Sequence, residues 1–309
     1  MKSGWTISDE TAGQRLDRFL ATGERLGSRS RVLDAIDRGR VFVNEREAGR
    51  ADAGSLLQPG DVVRLWMDRP GSAKRKAGMR AGDLRILYED ETLVVVDKPA
   101  GLLSVPLGSS RDASSAYDQI ADHLGPRGTR RPLVVHRIDR DTSGLVVFAK
   151  HTRAQEQLKD QFERREPERV YLAVVYGHPA PPEGTWRDRL LWDQDALIQT
   201  RTDTRDPNGK EAISHYTVIE RLPGASLIEV RLETGKRNQI RIQAGLRGHA
   251  LVGEKQYVEG SAPPRRIAFP RQALHAHRLT FRHPVDGRAL RFQAPLPADM
   301  TGLIDQLRR

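Results

Sequence analysis

The 309-residue sequence contains no cysteine. That excludes disulfides, a thiolate nucleophile and any zinc centre built on cysteine ligands. No apolar run approaches the length of a membrane span. Residues 1–13 lack the apolar core of a signal peptide, so a cytoplasmic protein with no membrane partner is expected. The nine histidines are scattered. With no H-E-x-x-H pattern and no His/Asp cluster, neither a metal site nor metal-dependent hydrolysis is expected. His275 and His277 lie on an ordinary strand-like run. There is no internal repeat.

What is present is positive charge. Lys and Arg number 51 against 41 Asp and Glu, a formal +10 at pH 7. This balance favours a polyanionic partner, although a protein that is merely basic has the same total. The length suits a sizeable core and two domains.

The densest chemistry runs from His136 to Gly144: His136-Arg137-Ile138-Asp139-Arg140-Asp141-Thr142-Ser143-Gly144. An apolar run, Leu145-Val146-Val147-Phe148-Ala149, follows with β character. A polar turn delivered onto a buried strand holds a reactive side chain still. An ion-paired surface turn ahead of a core strand is the plain alternative.

Upstream, Leu16, Phe19 and Leu20 have helical spacing, and Ser28 opens a second helix that ends at Gly39. One face of that helix carries Arg29, Arg31 and Arg38, followed by Arg40. Val41–Asn44 and Val62–Leu65 read as strands, with Gln58–Asp61 as a turn. Residues 68–82, rich in Pro, Gly, Ser, Lys and Arg, read as a flexible basic tether. Beyond them, Leu84–Tyr88 and Leu93–Asp97 read as strands and Ala116–Leu124 as a helix. Thr152 and Gln155 fit a capping box opening another helix. Residues 168–177 alternate as a strand, and Met300, Leu303, Ile304 and Leu307 form a C-terminal amphipathic helix.

The 136–144 stretch resembles the HR-L-D-x-x-TSG signature of the RluA family of pseudouridine synthases, with Ile138 at the usual Leu. Further blocks follow in order. Tyr88-Glu89-Asp90 through Lys98-Pro99-Ala100-Gly101 resembles the first family motif, with Ser104-Val105-Pro106 where most members carry His before the proline. Arg169-Val170-Tyr171-Leu172-Ala173 resembles the second, with Arg169 for Lys. Leu232 to Arg241 resembles L-x-T-G-R-x-H-Q-I-R, with Lys236 for Arg and Asn238 for His. Gly248 to Glu254 is similar to G-H-x-L-x-G-D, with Glu for Asp. The N-terminal pattern is similar to the S-four-type RNA-binding domain, named for a small-subunit ribosomal protein.

The resemblance implies an α+β protein: a pseudouridine synthase fold with a mainly antiparallel or mixed central sheet flanked by helices, plus a small N-terminal α+β RNA-binding domain. Its expected boundaries are 1–67 for the RNA-binding domain, 68–82 for the linker and 83–309 for the catalytic domain. The implied activity is isomerisation of uridine to pseudouridine in RNA, without cofactor or metal. The target is expected in large-subunit ribosomal RNA, with transfer RNA open, and monomer is the default state. The family's carboxylate corresponds to Asp139, its arginine partner to Arg241 and its ring beside the uracil to Tyr171. Arg137 is expected to fill the gap left by a flipped nucleotide. Arg29, Arg31, Arg38, Arg40 and Lys236 are expected to contact RNA. Lys98 and Pro99 are expected to shape the site wall. A non-catalytic RNA-binding protein and an N-glycosidase are the competing classes, the latter because carboxylates also cut glycosidic bonds.

Overall fold

The computed structural model describes residues 2–37, 39–67, 84–106, 115–125, 131–193, 198–203, 205–258 and 267–309. Arg38 and the expected tether at 68–82 lie outside them. The chain divides into two compact units, one drawn from the first 80 residues and one from residue 81 onward.

The smaller unit runs β1 (Lys2–Thr6), α1 (Leu16–Leu20), α2 (Arg29–Asp37), β2 (Val41–Val43), β3 (Arg46–Glu47), a 3-10 turn (Arg50–Gly54) and β4 (Val62–Trp66). Its sheet has the order β1-β4-β2-β3. Leu16, Phe19 and Leu20 of α1 and Val32, Ala35 and Ile36 of α2 bury against Val41, Val63 and Leu65. The helical spacing therefore turns its apolar stripe onto the sheet, as an amphipathic pattern demands.

The larger unit opens with β5 (Arg85–Glu89), β6 (Leu93–Lys98), α3 (Ala116–Leu124), β7 (Leu133–Val134), β8 (Ser143–Ala149), α4 (Thr152–Glu163) and β9 (Glu168–Tyr176). It continues through β10 (Glu183–Asp193), β11 (Ile198–Arg201), β12 (Lys210–Leu222), β13 (Ala225–Leu232), α5 (Gln239–Gly245), β14 (Leu274–Arg282), β15 (Ala289–Gln293) and α6 (Ala298–Arg308). The strands form one mixed sheet of order β11-β10-β12-β13-β9-β14-β8-β6-β5, with β15 added to β14 and β7 to β8. The β14–β8 pair is parallel; the other pairs are antiparallel.

The runs Leu93–Val96 of β6 and Leu145–Ala149 of β8 are apolar without a break because both of their faces are covered. Val94, Val96, Val146 and Phe148 face a core shared with α3 and α5. Leu93, Val95, Leu145 and Val147 face a second core with α4, and α6 closes a third with Met300, Leu303 and Ile304. The α4 terminus differs from the expected capping box. His151 is the N-cap, its Nδ1 accepting the Ala154 N–H at 3.2 Å. Gln155 instead donates to the Val134 carbonyl at 2.8 Å. An imidazole with a free lone pair serves as the cap acceptor here, which leaves the amide to tie β7 to α4.

Gly144 sits where β8 begins, with φ +109°. A Cβ there would collide with the Ala276 carbonyl of β14. Glycine is the residue that permits both this backbone angle and the close parallel pairing.

Candidate active site

The 136–144 turn leads directly into β8, and three separate groups hold its backbone. Ser104 Oγ donates to the Ile138 carbonyl at 2.7 Å and accepts the Ile138 N–H at 3.2 Å. Lys98, fully buried at the end of β6, donates to the carbonyls of Arg140, Pro99 and Leu102 at 2.9, 3.0 and 2.7 Å. Burial pushes Lys98 down to about 7, against the pull of Asp141 and Asp139. Arg271, also buried, donates to the Asp141 carbonyl at 3.0 Å and forks onto Asp299 of α6 at 2.7 and 3.0 Å. The residues on both sides of Asp139 are thus fixed through their main chains, while its own side chain stays 27% exposed. A carboxylate held this way is pre-positioned yet reachable.

Two histidines brace the turn. His136 Nε2 accepts the Val147 N–H at 3.2 Å and its ring stacks on Phe162. Burial, then the Arg169 charge, pushes it down to about 3, so it is a neutral strut. His275 Nδ1 meets Ser143 Oγ at 2.9 Å and Nε2 meets the Ala294 carbonyl at 3.2 Å. That pairing selects the tautomer with the proton on Nε2. Burial pushes His275 down to about 4. An unfolded histidine titrates near 6.5. Stability is therefore complete above that value and is lost as pH falls toward 4, because the unfolded chain takes up a proton the folded one refuses. From pH 7 to pH 5 this histidine costs about 2 kcal/mol. Thermal unfolding followed against pH checks it: a His275→Gln protein shows a shallower acid-side fall in Tm than wild type.

Across the sheet, α5 delivers Arg241 to the carboxylate. Its Nη1 donates to Asp139 Oδ2 at 3.2 Å and to Asn238 Oδ1 at 2.8 Å. Its Nε and Nη2 fork onto Glu254, both at 2.7 Å. Glu254 is buried, and its Oε1 also accepts the N–H groups of Lys255 and Gln256 at 3.0 and 2.9 Å. Four of the five guanidinium N–H groups are therefore engaged, and the plane cannot rotate away from Asp139. Burial opposes the charge of Arg241, but the hydrogen bonds and charge of Glu254, then Asp139, more than offset it and hold the group above its ordinary value. Burial likewise opposes the Glu254 charge, and Arg241 keeps that carboxyl below its usual range.

Tyr171 of β9 is buried in the α3/α5 core. Ile138 and Ile240, the chain neighbours of Asp139 and Arg241, belong to the same core. Burial raises the Tyr171 phenol, Arg169 opposes that, and the Asp139 charge adds to it, so the hydroxyl is neutral. Tyr257 lies under the guanidinium of Arg241, 5.0 Å from its ring centre, and accepts the Asn238 amide at 2.8 Å. Asn238 adopts the left-handed conformation, φ 57°. A short polar residue tolerates that conformation better than most.

Asp139 and Arg241 therefore meet, although 102 residues separate them, and Tyr171 shares a core with their neighbours Ile138 and Ile240. Arg137 is exposed beside them, and Lys236 is half-buried in the loop before α5. In the smaller unit Arg31 is exposed, whereas Arg29 is half-buried and its Nε is committed to buried Asp17 at 2.8 Å. Arg40 is half-buried. The sequence marked Asn238 and Glu254 only as departures from a motif, and Ser104 and Tyr257 not as site residues. Their roles depend on contacts between distant segments. Among the described residues no cluster of three or more His, Asp or Glu is placed to hold a metal, and no helix is long and apolar enough to cross a membrane.

The profile of the family described as RNA pseudouridylate synthase matches residues 92–245. The chain is 38% identical over 307 residues to an uncharacterized RNA pseudouridine synthase of Bacillus subtilis, covering 98% of this chain and 97% of that protein. It is 36% identical over 310 residues to the ribosomal large subunit pseudouridine synthase D of Zymomonas mobilis, covering 98% and 96%. The solved structure of human RNA pseudouridylate synthase domain containing 4 superposes with a TM-score of 0.60 at 21% identity, over 72% of this chain and 93% of that one, a likeness of fold.

Proposed function

This chain belongs to the RluA family of RNA pseudouridine synthases, and on that premise we propose that it isomerises specific uridines of structured RNA with Asp139 as the catalytic carboxylate. The observation that carries this reading is the Asp139–Arg241 pair at 3.2 Å. Relatives that share about a third of its residues over nearly its full length are named as large-subunit ribosomal pseudouridine synthases. Large-subunit ribosomal RNA is therefore the first substrate class to test.

The reaction breaks the N1–C1′ bond of uridine, turns the uracil, forms a C5–C1′ bond and releases the C5 proton to solvent while N1 takes up a proton in its place. It has no redox change and adds no outside group. What it needs is one ionised carboxylate against the nucleoside, a flat contact for the base and a way to take the nucleotide out of its stack. Arg241 holds its partner with a charge-assisted hydrogen bond at 3.2 Å. Both covalent attack by the carboxylate and removal of a sugar proton use that same ionised group. The Tyr171 ring supports the uracil face. Exposed Arg137, two residues from Asp139, supplies a side chain to occupy the space the uridine leaves.

The smaller unit acts as the RNA anchor in this reading. It presents Arg31 on the exposed face of α2, in a sequence pattern similar to the S-four-type domain, and contacts of this kind read RNA backbone and shape.

The test is tritium release from in vitro transcribed large-subunit ribosomal RNA labelled at uridine C5, followed by mapping of the modified position. The expected result is release to a stoichiometric plateau at one or a few uridines, in the presence of EDTA and with the RNA mass unchanged. Free uracil among the products would sink the reading in favour of an N-glycosidase. Release only from transfer RNA would move the substrate class.

A further inference from the structure

A cluster of positive charge lies beside the site, and Lys236 is its one member already expected to contact RNA. It gathers Arg165, which follows α4, Arg169 at the start of β9, Lys210 at the start of β12 and Lys236 in the loop before α5: Arg165 reaches Glu211, the neighbour of Lys210, at 3.7 Å, and Arg169 Nη1 packs against Gly235, the neighbour of Lys236. Two carboxylates are nearby and both are used. Glu211 is held by Arg187 at 2.8 Å and by Arg165 at 3.7 Å, and Glu233 by His215 at 3.2 Å and by Arg165 at 3.4 Å. Neither Arg169 nor Lys236 has a carboxylate partner among the described residues.

Arg169 is the telling member. Its Nε is buried with no hydrogen-bond partner among the described residues. Its Nη2 makes a long 3.4 Å contact with the Glu233 carbonyl, and its guanidinium rests 5.6 Å from the Phe162 ring centre. Leaving donors of a buried guanidinium unused is costly unless something arrives to accept from them. Gly235 leaves the room: a Cβ there would collide with Arg169 Nη1. The charged form of Lys236 is disfavoured first by burial, then by Arg165, Lys210 and Arg169, with Glu211 opposing. Like charges packed at this density are relieved by an anion. Arg165 is held there in a left-handed conformation, φ 61°, that a glycine would adopt more easily.

Position identifies the anion. Arg169 and Tyr171 are two residues apart on β9, opposite Leu232 and Val230 of β13. Alternate strand residues share a face and stand about 7 Å apart. The cluster therefore begins one strand step from the ring assigned to the uracil.

We propose that Arg169 and Lys236, backed by Arg165 and Lys210, form a phosphodiester-binding subsite that grips the RNA backbone next to the target uridine. This rests on the reading of the site as a pseudouridine synthase and adds a backbone anchor to it. Charge on both side chains, with a guanidinium fork for non-bridging oxygens, suits a phosphate better than a base edge.

The experiment measures the affinity of the full-length protein for in vitro transcribed large-subunit ribosomal RNA at several salt concentrations, alongside tritium release. Lys236→Gln, at a half-buried loop position, is expected to raise Kd about 5- to 10-fold and to flatten the slope of log Kd against log salt by about 1, the signature of one lost phosphate contact. Lys236→Arg, which keeps the charge and restores the residue usual in the motif, is expected to retain both. Lys210→Gln is expected to shift Kd in the same direction by a smaller factor. Unchanged affinity and slope in Lys236→Gln, with wild type turning over normally, would overturn the subsite and leave the activity standing. Absence of tritium release by wild type would instead remove the reading beneath it. If inorganic phosphate at constant ionic strength stabilised wild type but not Lys236→Gln against heat, while both bound RNA equally, the cluster would be a site for free phosphate and the proposal would fail.

Discussion

Replacing Asp139 with asparagine is expected to lower tritium release from C5-labelled RNA by at least about 10³-fold while RNA binding persists. The exchange keeps size and one acceptor oxygen but removes the negative charge. Whichever role the carboxylate plays, the charge is what the chemistry uses. The fold should survive, because the turn is held by main-chain bonds from Ser104, Lys98 and Arg271 that do not involve this side chain. Equal Tm values for the two proteins, with a rate lost in one, would separate chemistry from stability. Ordinary turnover by Asp139→Asn would refute the catalytic assignment.

Arg241→Met is expected to damage both activity and stability. The guanidinium neutralises Glu254, whose side chain is 1% exposed, as well as orienting Asp139. Removing it strands a buried carboxylate, a loss of about 3–5 kcal/mol. The double variant Arg241→Met/Glu254→Gln isolates the two roles. Without the stranded charge it should recover much of the lost stability in a denaturant titration, yet remain inactive because the Asp139 side chain has lost its guanidinium partner. Arg241→Lys keeps the charge but loses the fork, since one ammonium cannot occupy both Glu254 oxygens and reach Asp139. Its turnover is expected to fall about 100-fold. Wild-type activity in Arg241→Lys would show that bidentate geometry is unnecessary here.

The network around Arg241 also gives physical content to two departures from the family pattern. Asn238 and Glu254 are distant in sequence from Asp139, and both hydrogen-bond to the same guanidinium. Asn238 supplies an acceptor to Arg241 and a donor to Tyr257. Glu254 reaches far enough to receive the fork while also accepting main-chain N–H groups. Lys236, five residues before Arg241, donates its main-chain N–H to Gln239 Oε1 at 2.9 Å. One short motif thus serves two surfaces, the carboxylate pair and the basic cluster.

Much of this was legible from the chain alone. The unbroken apolar runs at Leu93–Val96 and Leu145–Ala149 announce strands covered on both faces, because burial of both faces removes the need for alternation. The charged turn ahead of Gly144 and the blocks similar to family motifs single out Asp139, Arg241 and Tyr171 as candidates, and the resemblance is what implies their roles. Linear order could not reveal that Ser104 clamps Ile138, that Glu254 completes the fork on Arg241, or that Arg29 faces Asp17 rather than open solvent. Nor could it show that Arg165, Arg169, Lys210 and Lys236 are neighbours. Residue type and local spacing determine which segments become helices and strands and which groups can do chemistry, because those depend on short-range sterics and on burial of one face. Which distant groups meet is decided by the register of β9, β13 and β14 and by the docking of α5. There, hydrogen bonds and ion pairs are made between atoms that the chain brings together only after the sheet has closed.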